Sequence, residues 1–241
     1  MADIRQSDLY AKYMESLGWV VEKIGDTNVF VKKIFFFSVI KIQRPNTLDS
    51  EKLKALQKKY RAVYINIEPS KSSWHLLPTK TVILDLKTLT IPKDTRYEIR
   101  MAEQNNLKIE VSSDILGFYK LLQKTMKLGG WQIPIKKEVT NLYAAFQPNN
   151  SVILSAGVSA CLLIWDQETA HFMYAANSGK GLSLGGAYFV LNEAIKFCQN
   201  IGLKSLDLEG VYDERFPNEN KNWQGFTKFK LGWGGNIVKY P

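Results

Sequence analysis

The stretch Trp223–Gly235, which reads WQGFTKFKLGWGG, contains four aromatic residues, two lysines and four glycines. No acidic residue lies within it or after it. Aromatic rings beside lysines can stack on bases and hold phosphates. The same composition also fits a core strand whose polar face carries lysines. The alternation over Phe226–Lys230 favours a strand, with Lys228 and Lys230 on one face and Phe229 on the other.

The composition around this stretch is that of a globular protein. The 241 residues suit one large domain or two small ones, and 45% of them are hydrophobic and 23% charged. The formal net charge of +9 favours an anionic partner: nucleic acid, a phosphorylated substrate or an anionic membrane surface. Solubility alone would also account for this charge.

Several functional classes fit the sequence poorly. Cys161 and Cys198 fall in apolar patterns, which predicts buried thiols rather than a disulfide. Two cysteines and two histidines argue against a zinc site, and we expect no metal. The polar N-terminus is unlike a signal peptide, and the longest apolar stretch, Ile34–Ile40, is too short to span a bilayer. We therefore expect a soluble, cytoplasmic protein, with Phe35–Phe37 buried in a sheet.

The predicted elements form two similar successions. Residues 1–110 alternate helix, strands, helix and strand. Residues 111–241 give two helices, three strands, a glycine-rich loop over Asn177–Gly186, a helix, a strand, a loop and the final strand. The second order is typical of an acyltransferase domain of the GCN5-related N-acetyltransferase (GNAT) type. The predicted fold class is therefore mixed α/β, with two GNAT-like domains in tandem and the first one shortened.

Short motifs along nearly the whole chain support this interpretation. They are Gln6-Ser7 with Tyr10, Gly18-Trp19, Arg44-Pro45, Tyr64–Pro69, Val82–Leu86, Arg96 with Ile99–Glu103, Thr125, Phe172–Ser178, Asp207–Gly210, Phe229-Lys230 and Gly232–Gly235. In this order they resemble the Fem family of non-ribosomal peptidyltransferases, which move an aminoacyl group from aminoacyl-tRNA to an amine of a peptidoglycan precursor. The resemblance implies two GNAT-like domains, joined through the helix that carries the arginines. Residues 1–110 would form an abbreviated acceptor-binding domain, and residues 111–241 the domain with the Phe-Lys transfer motif.

The resemblance also implies roles for individual residues. Lys230 would stabilise the tetrahedral intermediate, and Phe229 would pack near the tRNA acceptor end. Lys12 matches a lysine that holds the diphosphate of the precursor, and Tyr174 matches an aromatic of the acceptor pocket. Each has a structural alternative: an exposed strand lysine for Lys230, an exposed helix lysine for Lys12 and sheet core for Tyr174.

Three arginines are further candidates for substrate binding. Arg44 could meet a phosphate. Arg96 and Arg100 are spaced i, i+4 and share one face of a helix, where they could clamp a phosphate or only tie the two halves together.

One position departs from the pattern of the family. After Thr125 the family usually has an arginine three residues on, and here Leu128 occupies that position. This weakens the case for a nucleotide-diphosphate acceptor, so the acceptor could instead be lipid-linked or not a muropeptide at all. A basic surface could also favour the inner membrane face, although the sequence shows no amphipathic anchor.

The first interpretation needs aminoacyl-tRNA as a co-substrate and no cofactor. Acyl transfer to an amine requires a positioned amine and stabilisation of the developing oxyanion, not an activated serine or cysteine. The alternative is a GNAT-type N-acyltransferase that uses acetyl-coenzyme A, whose pyrophosphate loop would be Leu182–Ala187 at a helix N-terminus. A third possibility is a non-catalytic RNA-binding protein, for which charge and aromatic residues would suffice.

Overall fold

The computed structural model describes residues 3–69 and 75–240, which form eight α-helices and eleven β-strands. The helices are α1 Asp8–Ser16, α2 Ser50–Tyr60, α3 Lys93–Glu103, α4 Ile115–Gly129, α5 Lys136–Phe146, α6 Gly179–Ser183, α7 Gly186–Asn200 and α8 Gln224–Leu231. The strands are β1 Val20–Ile24, β2 Thr27–Ile34, β3 Phe37–Gln43, β4 Ala62–Glu68, β5 Lys80–Asp85, β6 Glu110–Ser112, β7 Ser151–Ser155, β8 Ser159–Asp166, β9 Thr169–Asn177, β10 Ser205–Gly210 and β11 Asn236–Lys239. Short 3-10 helices cover Ile4–Gln6 and Lys221–Trp223. The loop predicted at Ser70–Ser73 lies outside the described residues, as does Trp74.

A four-stranded sheet in the order β1-β2-β3-β4 occupies the first part of the chain. Its first three strands are antiparallel, and α2 crosses over to make β4 parallel to β3. The Asp49 carboxylate begins α2 by accepting hydrogen bonds from the amides of Glu51 and Lys52. Leu53 packs from this helix onto Val29 and Ile40, so α2 covers one face of the sheet.

The remaining strands form one seven-stranded sheet in the order β11-β5-β10-β9-β8-β7-β6. The early strand β5 lies between β11 and β10 and is antiparallel to both. The helices α3 and α7 contribute Ala102, Leu191 and Ala194 to the core on this sheet. The mixed α/β class is confirmed. The division at residue 110 stays a prediction, and β5 and β6, the strands nearest it, both lie in the larger sheet.

The stretch Trp223–Gly235 does not form the predicted strand. Its centre is the helix α8. Phe226, Phe229 and Trp233 are spaced i, i+3 and i+7, which is the spacing of one helix face, and Trp233 is fully buried at its end. An alternation over only five residues is too short to distinguish the repeat of a strand from the repeat of a helix. The last strand of the sheet is β11, immediately after this stretch.

Two further expectations are corrected by the structure. Phe35–Phe37 are not buried, because they form the exposed tip of the β2–β3 hairpin. The segment Asn177–Gly186 is not a simple loop, because it contains α6. The cysteine prediction is confirmed: Cys161 and Cys198 are both buried free thiols.

Candidate active site

Lys230 lies near the C-terminal end of α8, beside the end of β10. Its Nζ donates a hydrogen bond to the carbonyl oxygen of Gly210 at 2.8 Å and lies 4.9 Å from the centroid of the Phe226 ring. Burial lowers the pKa of Lys230 to about 8, although the nearby carboxylates of Glu209 and Asp207 act in the opposite direction. A partly buried ammonium with this pKa can stabilise an oxyanion or take part in proton transfer.

Aromatic packing holds α8 in this position. The Phe226 ring lies 5.4 Å from Trp131, which follows α4, and 5.3 Å from Trp223. At the other end of the helix, the Thr95 hydroxyl donates to the carbonyl of Gly232 and so connects α8 to α3. Contacts near both ends of α8 therefore fix the position of the helix that contains Lys230.

The end of β10 has an irregular backbone that exposes the Gly210 carbonyl to Lys230. The parallel ladder between β10 and β9 ends at the pair Asp207–His171, and the pairing of β10 with β5 shifts between Asp207 and Gly210. Glu209 has a positive φ of 60°. A Cβ at Gly210 would lie 2.5 Å from Pro78 and 2.7 Å from Trp223, so the close approach of these elements requires glycine here.

A buried network of charges adjoins this irregular segment. Glu209 accepts a hydrogen bond from Arg5 at 2.9 Å. Arg5 also contacts Asp3 at 3.0 Å, and Asp3 accepts from Arg44 at 2.8 Å. Arg5 and Arg44 are each only 4% exposed, so these pairs are largely desolvated. The network joins the N-terminus and β3 to β10.

His171 extends the network across the sheet. Its Nδ1 lies 2.7 Å from Glu209 Oε1 and 3.9 Å from Asp207 Oδ2. Burial would lower the pKa of His171, but the Glu209 hydrogen bond and the charges of Glu209 and Asp207 raise it. Burial would raise the pKa of Glu209, but Arg5 and His171 hold it well below its usual range. His171 and Glu209 therefore form a buried hydrogen-bonded pair in which each residue favours the charged form of the other.

Asp207 differs from Glu209 although the two residues share one strand. Burial and the neighbouring Glu209 charge raise the pKa of Asp207, and a hydrogen bond from the Thr81 hydroxyl opposes this shift. Two carboxyl groups two residues apart are thus placed in contrasting environments. His171, Asp207 and Glu209 offer ligand atoms within 4.8 Å of one another. Arg5, His171 and Thr81 already use oxygens of these carboxylates, so the geometry is that of a hydrogen-bonded ion network.

Phe229 and Tyr174 are near the site but are packed into cores. The Phe229 ring lies 5.0 Å from Tyr188 of α7 and 6.1 Å from Trp233. Tyr174 packs between two apolar clusters, and burial raises the pKa of its hydroxyl, with Tyr10 adding to the shift. Their functional roles stay predictions.

Arg44 is placed in the buried network rather than on an open surface. Its guanidinium donates to Asp3 and to the carbonyl of Pro78 at 2.8 Å, and it stacks 3.7 Å from the centroid of the Tyr240 ring. A phosphate bound there would have to displace one of these partners.

The structure does not bring Lys12, Arg96 and Arg100 into this network. Lys12 is exposed on α1, where its charge acts on Asp8. Arg96 and Arg100 lie exposed on α3. Their assignment to substrate binding stays a prediction.

Sequence reasoning missed Asp3, Arg5, His171, Asp207 and Glu209 as members of the site. For Asp207 and Glu209 a usable signal existed, because residues two apart on a strand project to the same side. Arg5 gave none, since it comes together with Glu209 only in the folded chain.

The glycine loop before α7 is explained by packing. A Cβ at Gly186 would lie 2.1 Å from Ser159 Oγ, and one at Gly181 would lie 2.3 Å from the Val158 carbonyl oxygen. A Cβ at Gly185 would lie 2.9 Å from Ala102. These glycines therefore let α6 and α7 approach β8 and α3, which accounts for them without a bound pyrophosphate.

Comparison with known proteins shows the fold. No protein-family model matches the sequence, and no curated protein sequence matches it. The structure of FemX is similar with a TM-score of 0.79 and 14% identity, over 99% of this chain and 90% of that one. The chain thus has the fold of FemX, and the resemblance to the Fem family is confirmed in the fold.

Two further solved structures are similar to the chain. One is the C-terminal domain assigned to a lysylphosphatidylglycerol synthetase of Agrobacterium fabrum, with a TM-score of 0.66 and 12% identity over 98% of this chain and 87% of that one. The other is L-PGS from Bacillus licheniformis, with a TM-score of 0.60 and 13% identity over 95% of this chain and 86% of that one. Within the described part of the chain, no helix is both long and apolar enough to cross a membrane.

Proposed function

We propose that this protein is an aminoacyltransferase that moves an amino acid from aminoacyl-tRNA to an amine of a peptidoglycan precursor. The observation that carries the proposal is the Lys230 ammonium, held by the Gly210 carbonyl and by Phe226 at the end of β10. The likeness to FemX over 99% of the chain supports it.

The proposed reaction needs no covalent enzyme intermediate. The nitrogen of the acceptor amine attacks the ester carbonyl carbon of aminoacyl-tRNA, and a C–N bond forms. The C–O bond to the tRNA ribose then breaks, and the proton lost by the amine ends on the ribose hydroxyl. Negative charge develops on the carbonyl oxygen in the intermediate, where the Lys230 ammonium stabilises it.

The acceptor has a second candidate, the hydroxyl of phosphatidylglycerol. The similarity to the Agrobacterium lysylphosphatidylglycerol synthetase domain favours it. Leu128, which is 65% exposed on α4, occupies the position where the family has an arginine. Leucine cannot bind a phosphate, and this favours a lipid or lipid-linked acceptor over a nucleotide-linked one.

Acetyl-coenzyme A is a less favoured donor. Its pyrophosphate loop would be the segment before α7, whose glycines are accounted for by contacts with Ser159, Val158 and Ala102. A purely RNA-binding role would not explain why the pKa of Lys230 is lowered.

One assay distinguishes the donors. The protein is incubated with charged tRNA or with acetyl-coenzyme A, each with a muropeptide amine or with phosphatidylglycerol vesicles, and donor consumption is measured. We expect charged tRNA to be consumed. If only acetyl-coenzyme A is consumed, the protein is an acyl-coenzyme A-dependent N-acyltransferase rather than a tRNA-dependent aminoacyltransferase.

Lys230→Ala tests the role of the ammonium. Transfer should fall by about 100- to 1000-fold, as it does when a single oxyanion donor is removed. Lys228→Ala is the matched control, because Lys228 is exposed on the same helix. Unchanged turnover in a folded Lys230→Ala protein would refute the assignment.

The pH dependence gives a second test of the same role. With the pKa of Lys230 at about 8, the ammonium form is lost above that pH, and transfer should decline there. Lys230→Arg should keep any residual transfer from declining in this range, because an arginine does not deprotonate. A decline of the same shape in both proteins would assign the titration to another group.

A further inference from the structure

The tip of the β2–β3 hairpin exposes a cluster of aromatic side chains to solvent. Ile34 and Phe37 are the last paired residues, so Phe35 and Phe36 are the two residues of the turn. They are 94% and 91% exposed, and Ile34 and Phe37 are exposed as well. Val63, at an irregularity of the neighbouring β4, is also exposed. We call Ile34, Phe35, Phe36, Phe37 and Val63 the aromatic tip.

The residues of this turn are unusual for a two-residue hairpin turn. Phe35 has a φ of 52°, a left-handed conformation that two-residue hairpin turns usually fill with asparagine or glycine. Placing two phenylalanines there costs conformational energy and solubility with no folded contact in return. Such a site is expected where the side chains serve a partner outside the fold.

Basic side chains surround the aromatic tip. The amide of Ser38 donates to the Arg61 carbonyl at 3.3 Å, which places the C-terminal end of α2 beside the hairpin. Lys33, Lys58 and Arg61 are exposed there, and none of them forms an ion pair within residues 3–69 and 75–240. No aspartate or glutamate occurs from residue 27 to residue 48. Glu22, on β1 of the same sheet, is already held by Lys59 at 2.7 Å.

We propose that the aromatic tip docks onto an anionic lipid bilayer. Phe35 and Phe36 enter the interface between head groups and acyl chains, where aromatic rings are favoured. Lys33, Lys58 and Arg61 remain at the level of the lipid phosphates and supply the electrostatic attraction. This docking is independent of the proposed transfer reaction.

The charge distribution favours a membrane over a protein partner. Protein interface cores are depleted in lysine, whereas here unpaired cations border the apolar residues directly. Two protruding rings on a narrow turn offer too little area for a stable protein interface. They protrude far enough to insert into the interfacial region of a bilayer.

Vesicle binding tests the proposal without any substrate, so its failure would leave the proposed function untouched. The wild-type protein should cosediment with vesicles of phosphatidylcholine and phosphatidylglycerol and bind pure phosphatidylcholine vesicles more weakly. Phe35→Gly with Phe36→Asn places glycine at the turn position that has the positive φ, so folding should be retained. This variant should lose about tenfold or more in partition coefficient on anionic vesicles.

Two further variants separate the contributions. Lys33→Glu with Arg61→Glu should weaken binding to anionic vesicles by about fivefold per removed cation or more, and leave neutral vesicles unaffected. Leu116→Asn replaces an exposed leucine of α4 remote in sequence from the tip, and should bind as the wild type does.

Three results would overturn the proposal. The first is that the wild type binds neither kind of vesicle. The second is that the Phe35→Gly, Phe36→Asn variant binds as tightly as the wild type. The third is that light scattering shows a wild-type dimer and a monomeric variant with no vesicle binding in either, which would assign the tip to a second copy of the chain.

Discussion

Replacing Glu209 by glutamine should destabilise the folded protein strongly. The Glu209 carboxylate accepts hydrogen bonds from Arg5 at 2.9 Å and from His171 at 2.7 Å, and its side chain is only 12% exposed. The amide of glutamine carries no charge, and it presents an NH2 group where the carboxylate presented a second acceptor. One of the two buried donors, Arg5 or His171, therefore loses its acceptor.

The magnitude follows from the burial of these groups. Breaking a buried ion pair by removing one partner costs about 3–5 kcal/mol. The lower end applies because Arg5 keeps Asp3 at 3.0 Å, which gives about 3 kcal/mol. For a chain of this size, that loss corresponds to a decrease in Tm of about 6–12 °C.

Thermal unfolding measured by circular dichroism at neutral pH provides the assay. Asp8→Asn is the matched control, because it breaks the Lys23–Asp8 pair of similar length, 2.7 Å, in which the aspartate is 81% exposed. Exposed pairs contribute about 0.2–1 kcal/mol. If Glu209→Gln lowers Tm no more than Asp8→Asn does, the network does not stabilise the fold as we argue.

Two further changes probe the elements around the site. Burial would raise the pKa of Asp213, but hydrogen bonds from Arg215 and the Thr79 hydroxyl lower it to about 2, so its stabilisation is present above the unfolded pKa of about 3.9 and is lost as the pH falls toward 2. Asp213→Asn should therefore flatten the decrease of Tm between about pH 4 and pH 2, and an acid limb identical to that of the wild type would count against this linkage. Gly210→Ala should cost about 1–3 kcal/mol through overpacking, whereas Gly225→Ala, with no atom within 4 Å of the added Cβ, should be neutral or stabilising, and equal effects of the two on Tm would contradict the packing argument.

Most helices and the central strands could be predicted from local patterns. Asp49 and Asp114 cap α2 and α4, and such caps are readable from the sequence because capping is a local interaction. Sheet order is not local. The insertion of β5 between β11 and β10 depends on pairing partners more than 100 residues away, which no periodicity encodes.

The aromatic tip shows where hydrophobicity misleads. A run such as Ile34–Phe37 predicts burial, because burying apolar side chains is favourable for almost every protein. Only the register of β2 with β3 shows that Phe35 and Phe36 fall in the turn, beyond the last pair of the ladder. A surface that serves an external partner is therefore indistinguishable from core at the level of composition.

The helical form of α8 changes what the Phe-Lys motif can do. On a strand, Lys228 and Lys230 would share one face and act together on a substrate. On a helix, two residues apart means a rotation of about 200°, so the two side chains leave on nearly opposite sides. Lys230 meets the Gly210 carbonyl and the Phe226 ring, while Lys228 stays exposed to solvent. The proposed oxyanion role therefore falls on a single ammonium group, and Lys228→Ala changes the charge of the same helix without touching that group.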